Sequence, residues 1–385
     1  MSCTTEIAVP LLDVNRQNGP LWDEIEAAIR AVCDSGRFVH GPDCRQFEAD
    51  MATYCGTQYA VGCASGSDAL LLALMAIGVG QGDEVILPSF TFFATASAVW
   101  RLGARPVFVD IEPDTFNIDP EKIEQAITPA TRAIIPVHLF GRCAQMTAIN
   151  QIAARCDLAV IEDAAQSIGA AYAGSRAGSL GALGCFSFYP TKNLGAFGDA
   201  GMITTDDAQL AEKLRVLRDH GQQPQYHHHV VGVNSRLDTI QAALLRIKLA
   251  YLDGWNKQRQ ANACRYAELF AAAGLDEAIQ LPEPPESGHQ IWNQYTIRVP
   301  GGQRDALKNH LAEHNIGAAV YYPVPLHRQQ CFAALGYGED SLPQTEGAAR
   351  EVLSLPIFAE LTDAEQQTVV TGIGSFYASR ATQAA

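Results

Sequence analysis

One lysine stands in a glycine-rich turn near the middle of the chain. Lys192 lies in CFSFYPTKNLGAFGDAG, residues 185–201, between two short apolar runs, and glycine and alanine follow it closely. A lysine amine becomes a nucleophile when burial or a nearby cation lowers its pKa. Glycines beside it let the backbone approach a flat ligand. A solvated surface lysine explains the same stretch, so other polar segments must decide between the two interpretations.

Two such segments place polar groups at the ends of predicted strands. Tyr59–Cys63 is a predicted strand, and Ser65 followed three residues later by Asp68 has the spacing of a helix N-terminal cap. The apolar helix after this turn should be buried, and its N-terminus offers an anion site, although an ordinary capped helix fits equally well. Asp163 follows another predicted strand, where it would either meet a ligand or cap the next element.

The elements that must position these groups alternate between strand and helix. This alternation predicts a mostly parallel sheet covered by helices on both faces. Ligands bind such sheets at the carboxyl ends of the strands. The predicted strands are 59–63, 84–87, 106–110, 133–137, 158–161 and 202–204, and the predicted helices are 22–32, 47–54, 91–102, 120–127, 146–155 and 209–218.

The last third of the chain predicts a smaller α+β domain. A long amphipathic helix is predicted from Thr239 to about Phe270, with a break near Gly254. A loop at 282–288, a strand at 295–299 and a helix at 304–314 follow. We place the boundary near Asp253, which gives a large domain of residues 1–253 and a small domain of residues 254–385. The first 20 residues are predicted to be irregular.

Composition narrows the class of protein. The chain has 385 residues, of which 48% are hydrophobic and 18% charged, so a large core and two or three domains are expected. The net charge of −15 disfavours nucleic acid as a partner and requires a local basic site for any anionic substrate.

No segment of the sequence predicts a membrane or metal function. The longest apolar run is too short to cross a membrane and the N-terminus has no signal-peptide pattern, so we expect a cytoplasmic protein. The ten cysteines lack the spacing of zinc or redox motifs. Three consecutive histidines, residues 227–229, cannot all face one ion, so no metal site is expected.

Four segments, taken in order, resemble the DegT/DnrJ/EryC1/StrS family of pyridoxal-phosphate sugar aminotransferases. They are the turn at 65–70, residues 163–166, the Lys192 turn and GVNSRLD at 232–238, within a similarity from about residue 41 to about residue 327. GDEVILPSFTFFATASAV at 82–99 and ITPATRAIIPVHLFG at 127–141 also match. The resemblance implies an α/β protein of aminotransferase fold type I, with a large α/β/α domain, a mostly parallel sheet and a smaller C-terminal α+β domain.

The resemblance also implies roles for individual residues. Lys192 matches the lysine that forms a Schiff base with pyridoxal 5′-phosphate (PLP), and Asp163 matches the partner of its pyridine nitrogen. Gln166 matches the residue that bonds the ring hydroxyl, and Phe92 the aromatic that stacks on the ring. The expected phosphate contacts are Gly66, Ser67, Ser187 and, from the neighbouring subunit, Asn234. Because Asn234 would come from the neighbouring subunit, the resemblance implies a homodimer with shared active sites.

The implied reaction is a ping-pong transfer of an amino group, in amino-sugar or polysaccharide biosynthesis. Glutamate is the expected donor, and a nucleotide-linked keto sugar the acceptor. Candidate substrate contacts are Arg218, His220, Tyr226, His227, Arg236, Tyr321, Tyr322 and His327. Serine after Asn234 and the Tyr321–Tyr322 stretch favour UDP- or dTDP-linked 3-keto sugars. A 4-keto-sugar aminotransferase, a cyclitol aminotransferase and a non-catalytic PLP-binding regulator stay as alternatives.

Overall fold

The computed structural model describes residues 8–285 and 288–384 and contains a seven-stranded sheet. The strands are β1 (Tyr59–Cys63), β2 (Glu84–Pro88), β3 (Arg105–Val109), β4 (Thr131–Ile134), β5 (Ala159–Asp163), β6 (Ala171–Tyr172), β7 (Ser175–Arg176), β8 (Leu183–Ser187), β9 (Gly201–Thr205), β10 (Tyr295–Arg298) and β11 (Val352–Leu355). The order in the large sheet is β1-β9-β8-β5-β4-β2-β3. Only β9 runs against its neighbours, so the predicted mostly parallel sheet is confirmed.

Helices cover this sheet on both faces. They are α1 (Val14–Asn18), α2 (Trp22–Ser35), α3 (Pro42–Cys55), α4 (Gly66–Ile77), α5 (Phe93–Arg101), α6 (Pro120–Ala126), α7 (Met146–Arg155), α8 (Ala208–Arg218), α9 (Thr239–Leu249), α10 (Leu252–Ala273), α11 (Arg304–Glu313), α12 (Pro343–Glu351) and α13 (Asp363–Ala384). Short 3₁₀ turns occur at Gly19–Leu21, Leu139–Gly141, Leu326–Arg328 and Gln330–Leu335.

Alternation along the strands decides which helices each face contacts. Val61 and Cys63 of β1 pack with α4, α5 and α8, while Ala60 packs with α2, α3 and α9 on the other face. Successive side chains of a strand point to opposite faces, which accounts for the two separate cores. Helix α4 is buried through residues 69–74, as its apolar sequence predicts. The α/β/α arrangement of the large domain is therefore confirmed.

The C-terminal part and Val9 of the N-terminal segment form a further core around β10 and β11, which pair antiparallel. Apolar side chains of α10, α11 and α13 pack against this pair. The loop predicted at 282–288 has no regular structure at 282–285, and residues 286 and 287 lie outside the described part. Within residues 8–285 and 288–384, no helix combines the length and apolar character that crossing a bilayer requires.

Two expectations about local structure are wrong. The break in the long helix lies at residues 250–251, between α9 and α10, and Gly254 sits inside α10 with open space beside it. Gly254 is exposed, and a glycine inside a helix costs only about 0.5–1 kcal/mol relative to alanine, which is too little to end a long helix. The N-terminal segment forms α1, because Asp13 caps it by accepting the N–H of Asn15. Residues 1–7 lie outside the described part.

Candidate active site

The Lys192 turn connects β8 to its antiparallel neighbour β9. The N–H of Lys192 donates to the carbonyl of Tyr189 at 2.8 Å, which closes the turn. A Cβ added at Gly195 would lie 2.3 Å from the carbonyl oxygen of Pro190, so only glycine fits there. Burial lowers the pKa of Lys192 to about 8, and the negative charge of Asp163 opposes this shift. The turn thus presents an amine with an unusually large unprotonated fraction.

Asp163 ends β5, the strand next to β8, and its side chain is buried. Its carboxylate accepts the hydroxyl of Thr95 at 2.8 Å and the N–H of Ala165 at 3.2 Å. Burial raises the pKa of Asp163, opposed by the hydrogen bond from Thr95 and the charge of Lys192. A cation placed against this carboxylate would compensate its lost hydration.

The start of α4 forms a cup beside this pair. The Ser65 hydroxyl accepts the N–H of Asp68 at 3.1 Å, which confirms the predicted cap. A Cβ added at Gly66 would lie 2.5 Å from Cβ of Ser187, so the helix start packs directly on β8. The N–H groups of Gly66 and Ser67 precede the first intrahelical bond and can bind an anion.

Gln166 contacts Tyr322, whose ring lies near that of Phe92. Gln166 accepts the N–H of Phe140 at 2.8 Å and donates to the hydroxyl of Tyr322 at 3.2 Å. The ring of Phe92 lies 6.3 Å from that of Tyr322, and its side chain is 57% exposed. The structure therefore brings Tyr322, predicted as a substrate contact, together with predicted cofactor residues. The Tyr321 ring lies 6.0 Å from that of Tyr322.

His327 points into the protein. Its Nε2 donates to the Glu346 carboxylate at 3.1 Å, and its Nδ1 lies 2.7 Å from the Ser89 hydroxyl. Burial lowers the pKa of His327, opposed by Glu346, so the neutral ring accepts a hydrogen bond from Ser89. The side chain of His327 has no exposed surface in the subunit, which differs from the expected substrate contact. It holds the start of the loop that carries Phe92.

The other predicted substrate contacts lie at the C-terminal end of α8 and in the segment that follows it. Arg218 pairs with the carboxylate of Glu48, and Arg236 pairs with Asp219 at 3.0 Å. Three further residues of this segment are exposed: His220, Tyr226 and His227. In the part of the chain that the structure describes, no hydrogen bond or ion pair joins these five residues to Lys192, Asp163 or Gln166.

Asn234 is exposed, and it pairs as an isolated bridge with Asp219. The next residue is buried: Ser235 donates to the carboxylate of Asp68 at 2.8 Å and accepts the N–H of Ala64 at 3.1 Å. Ser235 therefore supports the turn before α4 within its own subunit. Asn234 is left on the surface, where a second subunit can meet it.

Sequence reasoning missed several supporting residues. Thr95 lies one helical turn after Phe92, and that spacing was the available signal. Glu162 is buried beside Asp163. Its carboxylate accepts a hydrogen bond from Nε2 of His138 at 2.9 Å and three more from the backbone N–H groups of residues 178, 180 and 181. The N–H of His138 donates to the carbonyl of Asp163 at 3.0 Å. These bonds fix the end of β5, and nothing local in the sequence points to them.

This geometry can be compared with known proteins. Residues 21–374 match the DegT/DnrJ/EryC1/StrS aminotransferase family. The chain belongs to this family. A "pleiotropic regulatory protein" of Geobacillus stearothermophilus is 52% identical over 96% of this chain and 98% of its own length. UDP-N-acetyl-3-dehydro-α-D-glucosamine 3-aminotransferase of Acidithiobacillus ferrooxidans is 47% identical over the same shares.

Solved structures of the DegT/DnrJ/EryC1/StrS fold agree with the family assignment. Streptomyces venezuelae DesV, solved in complex with a ketimine intermediate, is 45% identical with a TM-score of 0.92 over 96% of this chain and 98% of DesV. Other solved relatives are described as PLP or pyridoxamine-phosphate (PMP) forms. The predicted family and fold type are confirmed, and the chain is an aminotransferase by family.

Proposed function

We propose that the protein uses PLP to transfer an amino group from L-glutamate to a nucleotide-linked 3-keto sugar. One observation carries the proposal: an amine with a pKa of about 8 faces a buried carboxylate beside an anion-binding helix start. A cofactor with three groups matches this site: an aldehyde for the amine, a basic ring nitrogen for the carboxylate, and a phosphate for the helix start.

The residues present fit PLP. Gly66, Ser67 and Ser187 would hold the phosphate. Position 66 must be glycine in this cup, because any side chain there would fill the space next to Ser187. Asp163 would hold the protonated ring nitrogen and Gln166 the ring hydroxyl. Phe92 would cover the ring face. When bound, PLP supplies an aldehyde that takes an amine and a ring that withdraws electrons from the reacting carbon.

Lys192 moves the proton in this scheme. With a pKa of about 8, roughly one amine in ten is unprotonated at pH 7, far more than for an ordinary lysine. Nζ of Lys192 can therefore take a proton from the donor carbon and return it from the same position. Thr95 fixes the orientation of the Asp163 carboxylate by donating a hydrogen bond to it. Glutamate gives up its amino group in one half-reaction and the keto sugar receives it in the next, which is ping-pong order.

The choice of carbon 3 is supported by relatives. The 47% identical relative is named as a 3-aminotransferase of a UDP-linked 3-dehydro sugar. Ser235 gives weaker support than expected, because its hydroxyl is engaged by Asp68 and Ala64. Tyr321 and Tyr322 are the substrate candidates that lie beside the cofactor residues.

We also propose a homodimer with shared sites and a domain boundary near Asp253. The exposed position of Asn234 supports the dimer, because this residue would contact the phosphate only from a partner subunit. The separate apolar core around β10 and β11 supports a small domain of residues 254–385.

A regulator that binds PLP without turnover is the second candidate. It is favoured by the name of the 52% identical relative. The presence of both Lys192 and Asp163 in one buried site favours catalysis instead.

The test is the reverse half-reaction. The PLP-loaded protein is mixed with UDP- and dTDP-linked 3-amino and 4-amino sugars, and conversion of the cofactor is followed by absorbance. We expect the 3-amino sugars to react at least about tenfold faster, the effect of one steric contact. A preference for 4-amino sugars would contradict the carbon-3 proposal, and PLP binding without conversion by any sugar or by glutamate would favour the regulator.

A further inference from the structure

One face of α9 forms hydrogen bonds with the turn that carries Lys192. Gly195 and Gly198 lack side chains that could anchor the turn to the core. Nζ of Lys248 donates to the carbonyl of Gly195 at 2.5 Å. Gln241 accepts the N–H of Phe197 at 2.8 Å and donates to its carbonyl at 3.3 Å. The segment that follows Lys192 is therefore bound twice to the same helix.

Gln241 and Lys248, the two side chains that bind the turn, lie on one face of α9. Gln241 and Lys248 are seven residues apart, which is two helical turns. Lys248 is only 1% exposed, and its Nζ lies 5.7 Å from the centre of the Phe197 ring. A cation at this distance from an aromatic face is attracted to it. The hydrogen bond of the amine and its cation–π contact are therefore both made to the Lys192 turn.

A buried ammonium group is costly, so its presence calls for a reason. Burial lowers the pKa of Lys248 to about 8, opposed by the charge of Glu360. An apolar side chain of similar volume would fill the same space without desolvating a charge. Packing alone does not explain a lysine here, whereas the bond to Gly195 does.

We propose that Lys248 is a positioning residue that fixes the backbone after Lys192 and thereby the reach of the Lys192 amine. This inference rests on the proposed role of Lys192. A misplaced catalytic group loses rate even when binding is intact, because proton transfer needs the reacting atoms at hydrogen-bond distance.

The experiment compares Lys248→Met with wild type and with Arg246→Met. Arg246 lies on the same helix but pairs with Asp43 at 2.8 Å and Asp50 at 3.0 Å, so its removal leaves the turn anchored. Lys248→Leu is a second variant of similar volume. Hydrogen exchange of residues 194–198 is measured on PLP-free protein. The maximal rate and apparent Kd of the L-glutamate half-reaction are measured on PLP-loaded protein.

We expect Lys248→Met to exchange these amides at least about fivefold faster and to lose at least about fivefold in maximal rate, with Kd within about twofold. Arg246→Met should match wild type in both measurements. A folded Lys248 variant with wild-type exchange or a wild-type rate would overturn the inference. If wild type itself fails to react with glutamate, the proposed function is wrong, and the exchange comparison on PLP-free protein still reports whether Lys248 anchors the turn.

Discussion

At the scale of single residues, burial gives the side chains of Lys192 and Asp163 unusual pKa values. Asp163 ends β5 and Lys192 lies in the turn that follows the neighbouring strand β8, and burial shifts both of their pKa values toward the neutral forms. Each charge partly offsets the shift of the other. The pair is therefore poised for proton transfer in a way that neither residue would be at the surface.

Replacing Lys192 tests the attachment of the cofactor. Lys192→Ala should remain folded but lack the visible absorbance of lysine-bound PLP, and borohydride treatment followed by dialysis should leave no PLP covalently attached to it. Circular dichroism provides the folding control. Retention of full absorbance would mean that another lysine binds the cofactor.

Replacing Asp163 tests the electrostatic partner of the ring nitrogen. Asp163→Asn keeps the shape and the bond to Thr95 but removes the charge. We expect PLP to bind, while the glutamate half-reaction slows by about 10²-fold or more, typical of such partners. Thr95→Val, which removes the bond to Asp163 together with the hydroxyl contacts to Thr91 and the Phe92 carbonyl, should have a smaller effect. A rate for Asp163→Asn within about twofold of wild type would be incompatible with the role.

The depressed pKa of Lys192 predicts how PLP capture depends on pH. Only the unprotonated amine attacks the aldehyde, so the capture rate of PLP-free protein should rise about tenfold per pH unit below pH 8 and level off above it. Stopped-flow absorbance across pH 6 to 10 measures this. A plateau reached only near the usual lysine pKa would show that burial does not activate Lys192.

At the scale of elements, the start of α4 depends on contact with β8. The N–H groups at this helix end can serve a phosphate only if the chain passes close to Ser187. Gly66 permits this approach, since an added Cβ would lie 2.5 Å from Cβ of Ser187. The start of α4 is therefore packed so closely on β8 that a single added methyl group would change the distance between them.

Gly66→Ala tests that spacing. The added methyl group should push the helix start away from β8 and weaken PLP affinity by about tenfold or more. The matched control is Gly254→Ala in α10, where nothing lies within 4 Å and stability should rise by about 0.5–1 kcal/mol. Equilibrium PLP titration and thermal melting measure both variants. Unchanged affinity in Gly66→Ala would place the phosphate elsewhere.

At the scale of the whole molecule, one subunit leaves part of the expected site on its surface. Asn234 is exposed while its neighbour Ser235 is buried against the turn before α4. The segment from His220 to Arg236 carries four of the eight predicted substrate contacts, and three of these four are exposed. A second copy of the chain would bring these side chains to a Lys192 that is not their own.

Mixing two damaged variants tests this arrangement. Asn234→Ala should weaken cofactor retention, and Lys192→Ala should be inactive. A heterodimer of the two would hold one intact site and one doubly damaged site, so activity should rise on mixing. Each variant re-mixed with itself is the control. Verified heterodimers without recovered activity would contradict a shared site.

The sequence alone predicted most strands and helices of the large domain and, with the family resemblance, the residues of the proposed cofactor site. Both depend on local patterns: the short strand β1, the cap at Ser65, and a lysine turn between β8 and β9. Such signals lie within a few residues of one another, so one sequence is enough to read them. The family resemblance added the roles.

Only the tertiary structure decided which polar side chains have partners. His327 contacts Ser89 across 238 positions, Arg218 contacts Glu48 across 170, and Lys248 reaches Gly195 across 53. No local pattern links residues so far apart. The free energy of a buried polar group depends on whether a partner meets it, and that is settled only when the elements pack.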